Sequence, residues 1–353
     1  MSFWPVLCIV IVGLEGIFGV CVNSLVLILL LRGKLRTKSV YRVAMVVSTI
    51  HLIGMSAMSG VTTLCHVFHD QNYSIIFFGL LPLLPQKVGD GFLIVFMFFV
   101  FAMWELTPAP CILQYLALCQ PNVTDRMKLL IAYSTVDCLV IGTLQITELF
   151  FHYGHSLDVV IIEHFLSCIP QQYYTVFLAI PEYRQDFALI TRQVFDLSPD
   201  EGVVAYGAKL FMTEKSDTTV IPFAVIGILP TYLIAYLIFI FCCVRIYRVL
   251  NAYDVQLKSQ RTLQMQKQFF KTLLLQGLLP LIVLAVPIGI FFVGLVGGFN
   301  MDRLTLLLTF SLWTVPTVQG VVSLSFVFKM KSSSVEGTSS RMRLEQRSAS
   351  ELH

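Results

Sequence analysis

Five ionisable side chains, Glu15, His51, Glu105, Asp137 and Glu148, stand inside stretches that are otherwise apolar. Such a group at the centre of a bilayer costs about 2.5–3.5 kcal/mol on insertion scales, so each needs a partner, water or neutrality. Several of them facing one cavity would make a proton relay or an ion path; taken singly, each is a buried group with a hydroxyl or carbonyl partner. Glu15 and His51 are placed to line a polar spot between the first and second apolar stretches, and Glu148 to reach water at the end of its own. Glu105 follows Trp104 and precedes Pro108 and Pro110, which should distort a helix there. Among Phe92, Phe96, Phe98, Phe99, Phe101 and Trp104, spacings of three to five residues place several on neighbouring helix faces. They would form either a wall of an apolar ligand pocket or a surface for lipid and neighbouring helices. Phe96, Phe101, Trp104 and Glu105 are the candidate pocket residues. Prolines 222, 230, 280, 287 and 316 punctuate three further apolar stretches, and Pro280, Pro287 and Pro316 are the candidate hinges.

No catalytic set accompanies these residues. The sequence has no H-E-x-x-H, no G-x-S-x-G and no phosphate-binding glycine loop. It has no C-x-x-C pair, so no metal site or cofactor is expected, and nothing suggests nucleic-acid binding.

The elements that must carry these residues follow from composition. The chain is 56% hydrophobic and only 13% charged, about half the charge of a soluble domain. Its surplus apolar surface needs lipid as solvent. A spanning helix takes about 20 apolar residues, and seven windows qualify: Val6–Leu31, Val43–Cys65, Gly91–Ala117, Leu129–Phe151, Thr219–Val244, Thr272–Phe299 and Leu304–Phe328. The last three hold no charge. The first is too long for a signal-peptide core and lacks a positive flank, so it is read as a retained helix. Ile75–Leu84 is too short to span and reads as an extension of the third helix or a re-entrant piece. Val159–Pro181 is long enough, but Glu163, His164, Pro170 and two glutamines argue against it.

Basic residues set the orientation. Segments 32–42, 119–128, 245–271 and the tail after Phe328 together hold 18 of the 24 Lys and Arg residues. With seven helices all four segments fall on one side, the cytoplasm, leaving the N-terminus outside. The expected fold is therefore an all-α membrane protein, a seven-helix bundle over residues 1–328 with a disordered cytoplasmic tail at 329–353. Asn72-Tyr73-Ser74 is a glycosylation sequon in the first outside loop, and Asn72 is the candidate site. The 67-residue outside loop from His152 to Thr218 carries nine acidic residues against four basic ones. It is either a partly folded lid, with Phe195–Gly202 as a turn, or a solvated connector. Cys168 in this loop and Cys65 both lie on the oxidising side and are candidates for a disulfide.

Three segments resemble the nematode serpentine chemoreceptors, seven-helix G-protein-coupled receptors of the Srh, Sri and Str type. Ser259-Gln260-Arg261-Thr262, with Gln264, Gln266, Phe269, Phe270, Lys271, Leu273, Gln276, Pro280 and Pro287, is similar to the start of their sixth helix. Leu113-Gln114-Tyr115-Leu116-Ala117-Leu118, followed by Cys119-Gln120-Pro121, looks like the inner end of their third helix, with Gln114 where Arg is usual. Gln319-Gly320-Val321-Val322-Ser323 is similar to the His-Gly-x-x-Ser pattern of the seventh helix in the Srh and Sri branches. Phe328-Lys329 stands where Tyr-Arg commonly ends that helix.

The resemblance implies an olfactory-type receptor in the plasma membrane of sensory cilia, binding a small external molecule. It also implies activation of a heterotrimeric G protein through an outward shift of the sixth helix, with Gln114, Tyr115, Arg261, Thr262, Lys267 and Lys271 as the coupling residues. A receptor dimer is a further partner to consider. The rival readings are a ligand-gated channel with its N-terminus inside, which the charge bias opposes, and a transporter, which would favour an internal repeat that the sequence lacks.

Overall fold

The computed structural model describes residues 3–32, 39–69, 72–85, 88–89, 91–92, 95, 99, 108–120, 122–135, 181–197, 204–209, 229–252, 260–297 and 305–350. Helix α1 (Phe3–Arg32) is followed by α2 (Ser39–Thr62), strands β1 (Leu64–His69) and β2 (Asn72–Phe77), and α3 (Pro108–Cys119). Residues 125–135 form α4. Next come α5 (Pro181–Phe195), β3 (Val204–Lys209), α6 (Leu229–Ala252), α7 (Gln260–Gly297) and α8 (Thr305–Ser350). Among the described residues, four stretches are long and apolar enough to cross a membrane: Phe3–Arg32, Tyr41–Thr62, Leu233–Ala252 and Thr305–Lys329. The chain is thus a mostly helical, multi-pass membrane protein.

Two features fasten α1 to α2. Where the middle of α1 crosses the last turns of α2 the backbones nearly touch: a Cβ on Gly16 would lie 2.7 Å from the Gly60 Cα and 2.9 Å from the Ser56 carbonyl oxygen. Apolar side chains gain little by leaving lipid for one another, so such close backbone packing takes over as the adhesive. Where the chain passes from α1 to α2, Arg42 donates from Nη2 to the Leu31 carbonyl at 2.7 Å, capping the last turn of α1.

The all-α expectation is corrected by a three-stranded antiparallel sheet in the order β1-β2-β3. Leu64 pairs with Phe77 and His69 with Asn72, while Asn72 pairs onward with Lys209 and Phe77 with Val204. The second apolar window therefore splits. Its helix ends at Thr62, Thr63 takes a left-handed φ of 42°, and Leu64 and Cys65 enter β1 instead. Ile75–Leu84, expected as helix or re-entrant segment, supplies part of β2 and a short 3-10 turn at Leu81–Leu83. The chain leaving β2 then returns to the end of α2. Phe78, Gly79 and Leu80 donate their N–H groups to the carbonyls of Thr63, Thr62 and Val61 at 3.2, 3.1 and 3.0 Å. Helix-end carbonyls that have no partner within the helix are thereby satisfied away from water.

The third strand comes from the long loop expected outside, so part of that loop is folded against the bundle. α5 begins with Pro at its first position, where the missing N–H costs nothing. It stops within the expected turn: Asp196 adopts φ 53°, and Leu197 donates back to the Arg192 carbonyl at 2.9 Å. Beneath it, Cys65, Val67, Ile76 and Ala205 of the sheet pack with Val194 and Phe195 of α5, Cys8 of α1 and Leu306 of α8. A separate core joins the other halves of the helices. There the Tyr41 and Phe269 rings lie 4.7 Å apart, and those of Phe269 and Phe326 5.4 Å apart.

The remaining windows keep their places with shifted ends. α6, α7 and α8 each run beyond the expected inner boundary, since a helix need not stop where the hydrocarbon does. The backbone of α8 stays helical to Ser350, through the segment expected as a disordered tail. Arg, Met, Leu, Glu and Gln at 341–346 are good helix formers, and extending an existing helix avoids the cost of nucleation. The expected third window is described at 91–92, 95, 99 and 108–117, all helical, while the fourth lies largely outside the described residues, as does the rival segment Val159–Pro181 apart from Pro181.

Two alanine substitutions separate packing from helix propensity in α1. Gly16→Ala should destabilise the detergent-solubilised protein by about 1–3 kcal/mol in thermal unfolding, through overpacking. Gly13→Ala, which meets nothing within 4 Å, should leave stability unchanged or raise it by up to about 1 kcal/mol.

Candidate functional site

The residues that carried the sixth- and seventh-helix motifs meet in space. Pro280 has no N–H, so the carbonyl of Gln276, four residues earlier, loses its partner within α7. α8 supplies one: Gln319 donates from Nε2 to the Gln276 carbonyl at 3.0 Å. The Gln276 side chain returns the contact, donating from Nε2 to Ser323 Oγ at 2.6 Å, and Ser323 donates to the Gln319 carbonyl at 2.9 Å. A closed polar ring thus joins the two helices in surroundings where water cannot substitute for it. One residue on, Tyr236 of α6 donates its hydroxyl to the Gly277 carbonyl at 3.2 Å. α7 is therefore pinned from two sides just before its first proline.

α8 is bound on its other faces as well. Asn23 of α1 donates from Nδ2 to the Gly19 carbonyl at 2.9 Å and the Pro316 carbonyl at 3.2 Å. It reaches Pro316 because Gly320 has no side chain; a Cβ there would lie 2.7 Å from Asn23 Oδ1. Glu15 Oε1 accepts from Thr314 Oγ1 at 2.7 Å, and its backbone carbonyl accepts from Thr317 Oγ1 at 3.3 Å. At the sheet end, Trp313 donates from Nε1 to the Leu64 carbonyl at 3.1 Å, and the His66 N–H donates to Thr309 Oγ1 at 2.9 Å. The polar spot expected of Glu15 and His51 is thus divided. Glu15 serves the α1–α8 seam, while the His51 ring sits 5.3 Å from that of Phe99.

α3 and the N-terminal part of α7 are joined more loosely. Gln114, fully buried, donates from Nε2 to the Gln266 backbone carbonyl at 3.3 Å. The side-chain oxygens of Gln114 and Gln266 are both buried without a hydrogen bond. Tyr115 lies edge-on to Phe241 of α6 with centroids 6.1 Å apart. Lys267 and Lys271 are exposed, and Arg261 and Thr262 sit in the first turn of α7. The structure thus brings Gln114 to α7 and leaves Lys267 and Lys271 accessible beside it.

Of the expected hinges, Pro280 and Pro316 are buried and Pro287 lies within α7, whose helix runs unbroken past both its prolines. Asn72 opens β2 at the hairpin end. Cys65 is a buried free thiol, and Cys168 lies outside the described residues. The expected pocket residues Phe96, Phe101, Trp104 and Glu105 also lie outside them. Among the described residues no group of three or more His, Cys, Asp or Glu side chains is placed to hold a metal ion. Sequence reasoning missed Asn23, Thr314 and Thr317. Asn23, an amide deep within an apolar run, carried a signal of its own; the two threonines are ordinary helix residues until α1 lies beside them.

Residues 159–331 match the family model of the Serpentine type 7TM GPCR chemoreceptor Str. That match covers just under half of the chain and shows the serpentine-chemoreceptor resemblance drawn from the motifs. It includes Gln276, Pro280, Gln319 and Ser323, and stops short of α1–α3. The family is one of receptors, not enzymes. No curated protein matches the chain.

The ring at Pro280 can be tested by restoring the missing donor. Gln319→Leu should cost about 1–3 kcal/mol in thermal unfolding, because it strands the Gln276 carbonyl. In a Pro280→Ala background, where an N–H returns to that carbonyl, the same substitution should cost clearly less.

Proposed function

We propose that this protein is a chemosensory G-protein-coupled receptor of the plasma membrane, with seven spans, an outside N-terminus and a cytoplasmic C-terminus. It binds a small external molecule and activates a heterotrimeric G protein; a sensory cilium is its expected site. The observation that carries this reading is the serpentine-receptor match over residues 159–331.

The uneven fastening of α7 supports a mechanism. Around Gln276 and Gly277 the helix is held by Gln319, Ser323 and Tyr236. Toward its inner end, Gln114 makes one long bond to it, leaving two amide oxygens buried and unpaired. Each such oxygen costs about 1–3 kcal/mol, and moving the inner end of α7 outward would hydrate both. That lowers the cost of opening, so a ligand needs only a modest differential affinity to shift the population. The opened seam would present Lys267 and Lys271 to the G protein, with Arg261, Thr262 and Tyr115 near it. Gln114 takes the place of the usual Arg, so the seam is held by a neutral amide rather than by a charge.

The test is nucleotide exchange by a reconstituted G protein with receptor-containing membranes, read without added ligand. The double substitution Lys267→Glu/Lys271→Glu should lower exchange by roughly tenfold, since reversing charges at an interface slows encounter. Gln114→Leu, which removes one of the two oxygens that opening would hydrate, should lower basal exchange a few-fold. Exchange equal to that of receptor-free membranes for every variant would sink the proposal and favour the channel or transporter reading.

A further inference from the structure

Cys8 and Cys65 come from elements far apart in the chain, α1 and β1, and both are 0% exposed. They share the core beneath the sheet with Val67, Ile76, Val194 and Phe195, each as a buried free thiol, and the Cys65 thiol is set against that of Cys8. A second thiol contact joins Cys111 of α3 to Cys243 of α6, in the core at the other end of the bundle. The two contacts are alike in kind and differ in the compartment they face. If the N-terminus is outside, as the proposed function has it, Cys8 and Cys65 mature in the oxidising compartment and Cys111 and Cys243 near the reducing one.

We propose that Cys8 and Cys65 are joined by a disulfide that staples the outer end of α1 to the first strand of the sheet. The staple closes a loop running through the whole of α2. It also ties the sheet, which Trp313 and Thr309 already fasten to α8, to the neighbouring helix α1. The chemistry is thiol–disulfide exchange with a disulfide-bearing oxidoreductase of the secretory lumen. One cysteine, as thiolate, attacks the carrier's disulfide and forms a mixed disulfide. The second then displaces the carrier, so one S–S bond forms, the two thiols lose two electrons and two protons, and the carrier leaves as a dithiol. In the folded protein burial holds the Cys65 thiol well above the ordinary range, reinforced by its hydrogen bond with Cys8. Thiolate is then scarce, so the exchange belongs to assembly, before the core closes. The same burial shields the finished bond from external reductants. A Cys65 engaged in this way leaves Cys168 unpaired by it, in place of the Cys65–Cys168 bridge expected from the sequence.

The test counts oxidised cysteines in the full-length protein taken from membranes. Free thiols are blocked with N-ethylmaleimide in SDS, disulfides are then reduced, and newly exposed thiols are tagged with a maleimide–polyethylene glycol and counted on a gel. The unaltered protein and Cys168→Ser should each gain two tags, while Cys8→Ser and Cys65→Ser should gain none. Because a misfolded variant would also lose its tags, linked-peptide mass spectrometry of the unaltered protein is the companion measurement, and should find Cys8 and Cys65 in one cross-linked species. Two tags retained in Cys8→Ser, tags lost in Cys168→Ser, or no gain in the unaltered protein would each overturn the staple. Tags lost in Cys111→Ser would overturn it differently: the oxidised pair would lie at the other end of the bundle, and the orientation itself would be wrong.

Discussion

The carbonyl of Gln276 is the point on which the helix arrangement turns. Pro280 removes its partner within α7, and in lipid an unpaired carbonyl has no water to turn to. Gln319 answers it at 3.0 Å, and the Gln276 side chain answers Ser323 at 2.6 Å. One proline thus obliges two helices to lie in register. Neither glutamine would be tolerated at its depth without the other helix, so the pair specifies packing that apolar contacts alone would leave loose.

From that fixed seam the other helices follow through α8. Its Thr314 and Thr317 meet Glu15, its Pro316 carbonyl meets Asn23, and its Trp313 and Thr309 hold β1. α1 meets α2 in turn through the Gly16–Gly60 approach. The bundle is firm where polar groups are paired and weakest where Gln114 reaches Gln266 with two amide oxygens left over. The proposed receptor mechanism uses that asymmetry: an anchored half to hold the fold, and a half whose opening would relieve a cost.

Much of this was legible in the sequence because membrane composition is a strong signal. The apolar windows located α1, α6, α7 and α8, and the motif residues Gln276, Pro280, Gln319 and Ser323 proved to be neighbours. The sheet was not legible. His66-Val67-Phe68-His69 and Asn72-Tyr73-Ser74-Ile75 alternate only briefly, and the two strands overlap apolar runs, at Leu64–Cys65 and at Ile75–Phe77, whose composition suits a helix or a re-entrant piece equally well. Their partner strand lies more than a hundred residues downstream in a loop with no distinctive pattern. Glu15 was recognised as needing a partner, but sequence gives no distance between Glu15 and Thr314, so the nearer His51 was favoured. Cys8 carries no signal of its own in the sequence, since only the fold sets it against Cys65.

The account rests on which side of the membrane each end occupies, and that can be measured in intact cells carrying one epitope tag at the C-terminus and another within residues 195–202. It predicts a loop tag that antibody reaches from outside and a tail tag that it reaches only after permeabilisation. A tail reached from outside with a hidden loop would contradict the orientation and, with it, the G-protein surface at Lys267 and Lys271. Both tags on one side would contradict the odd number of spans.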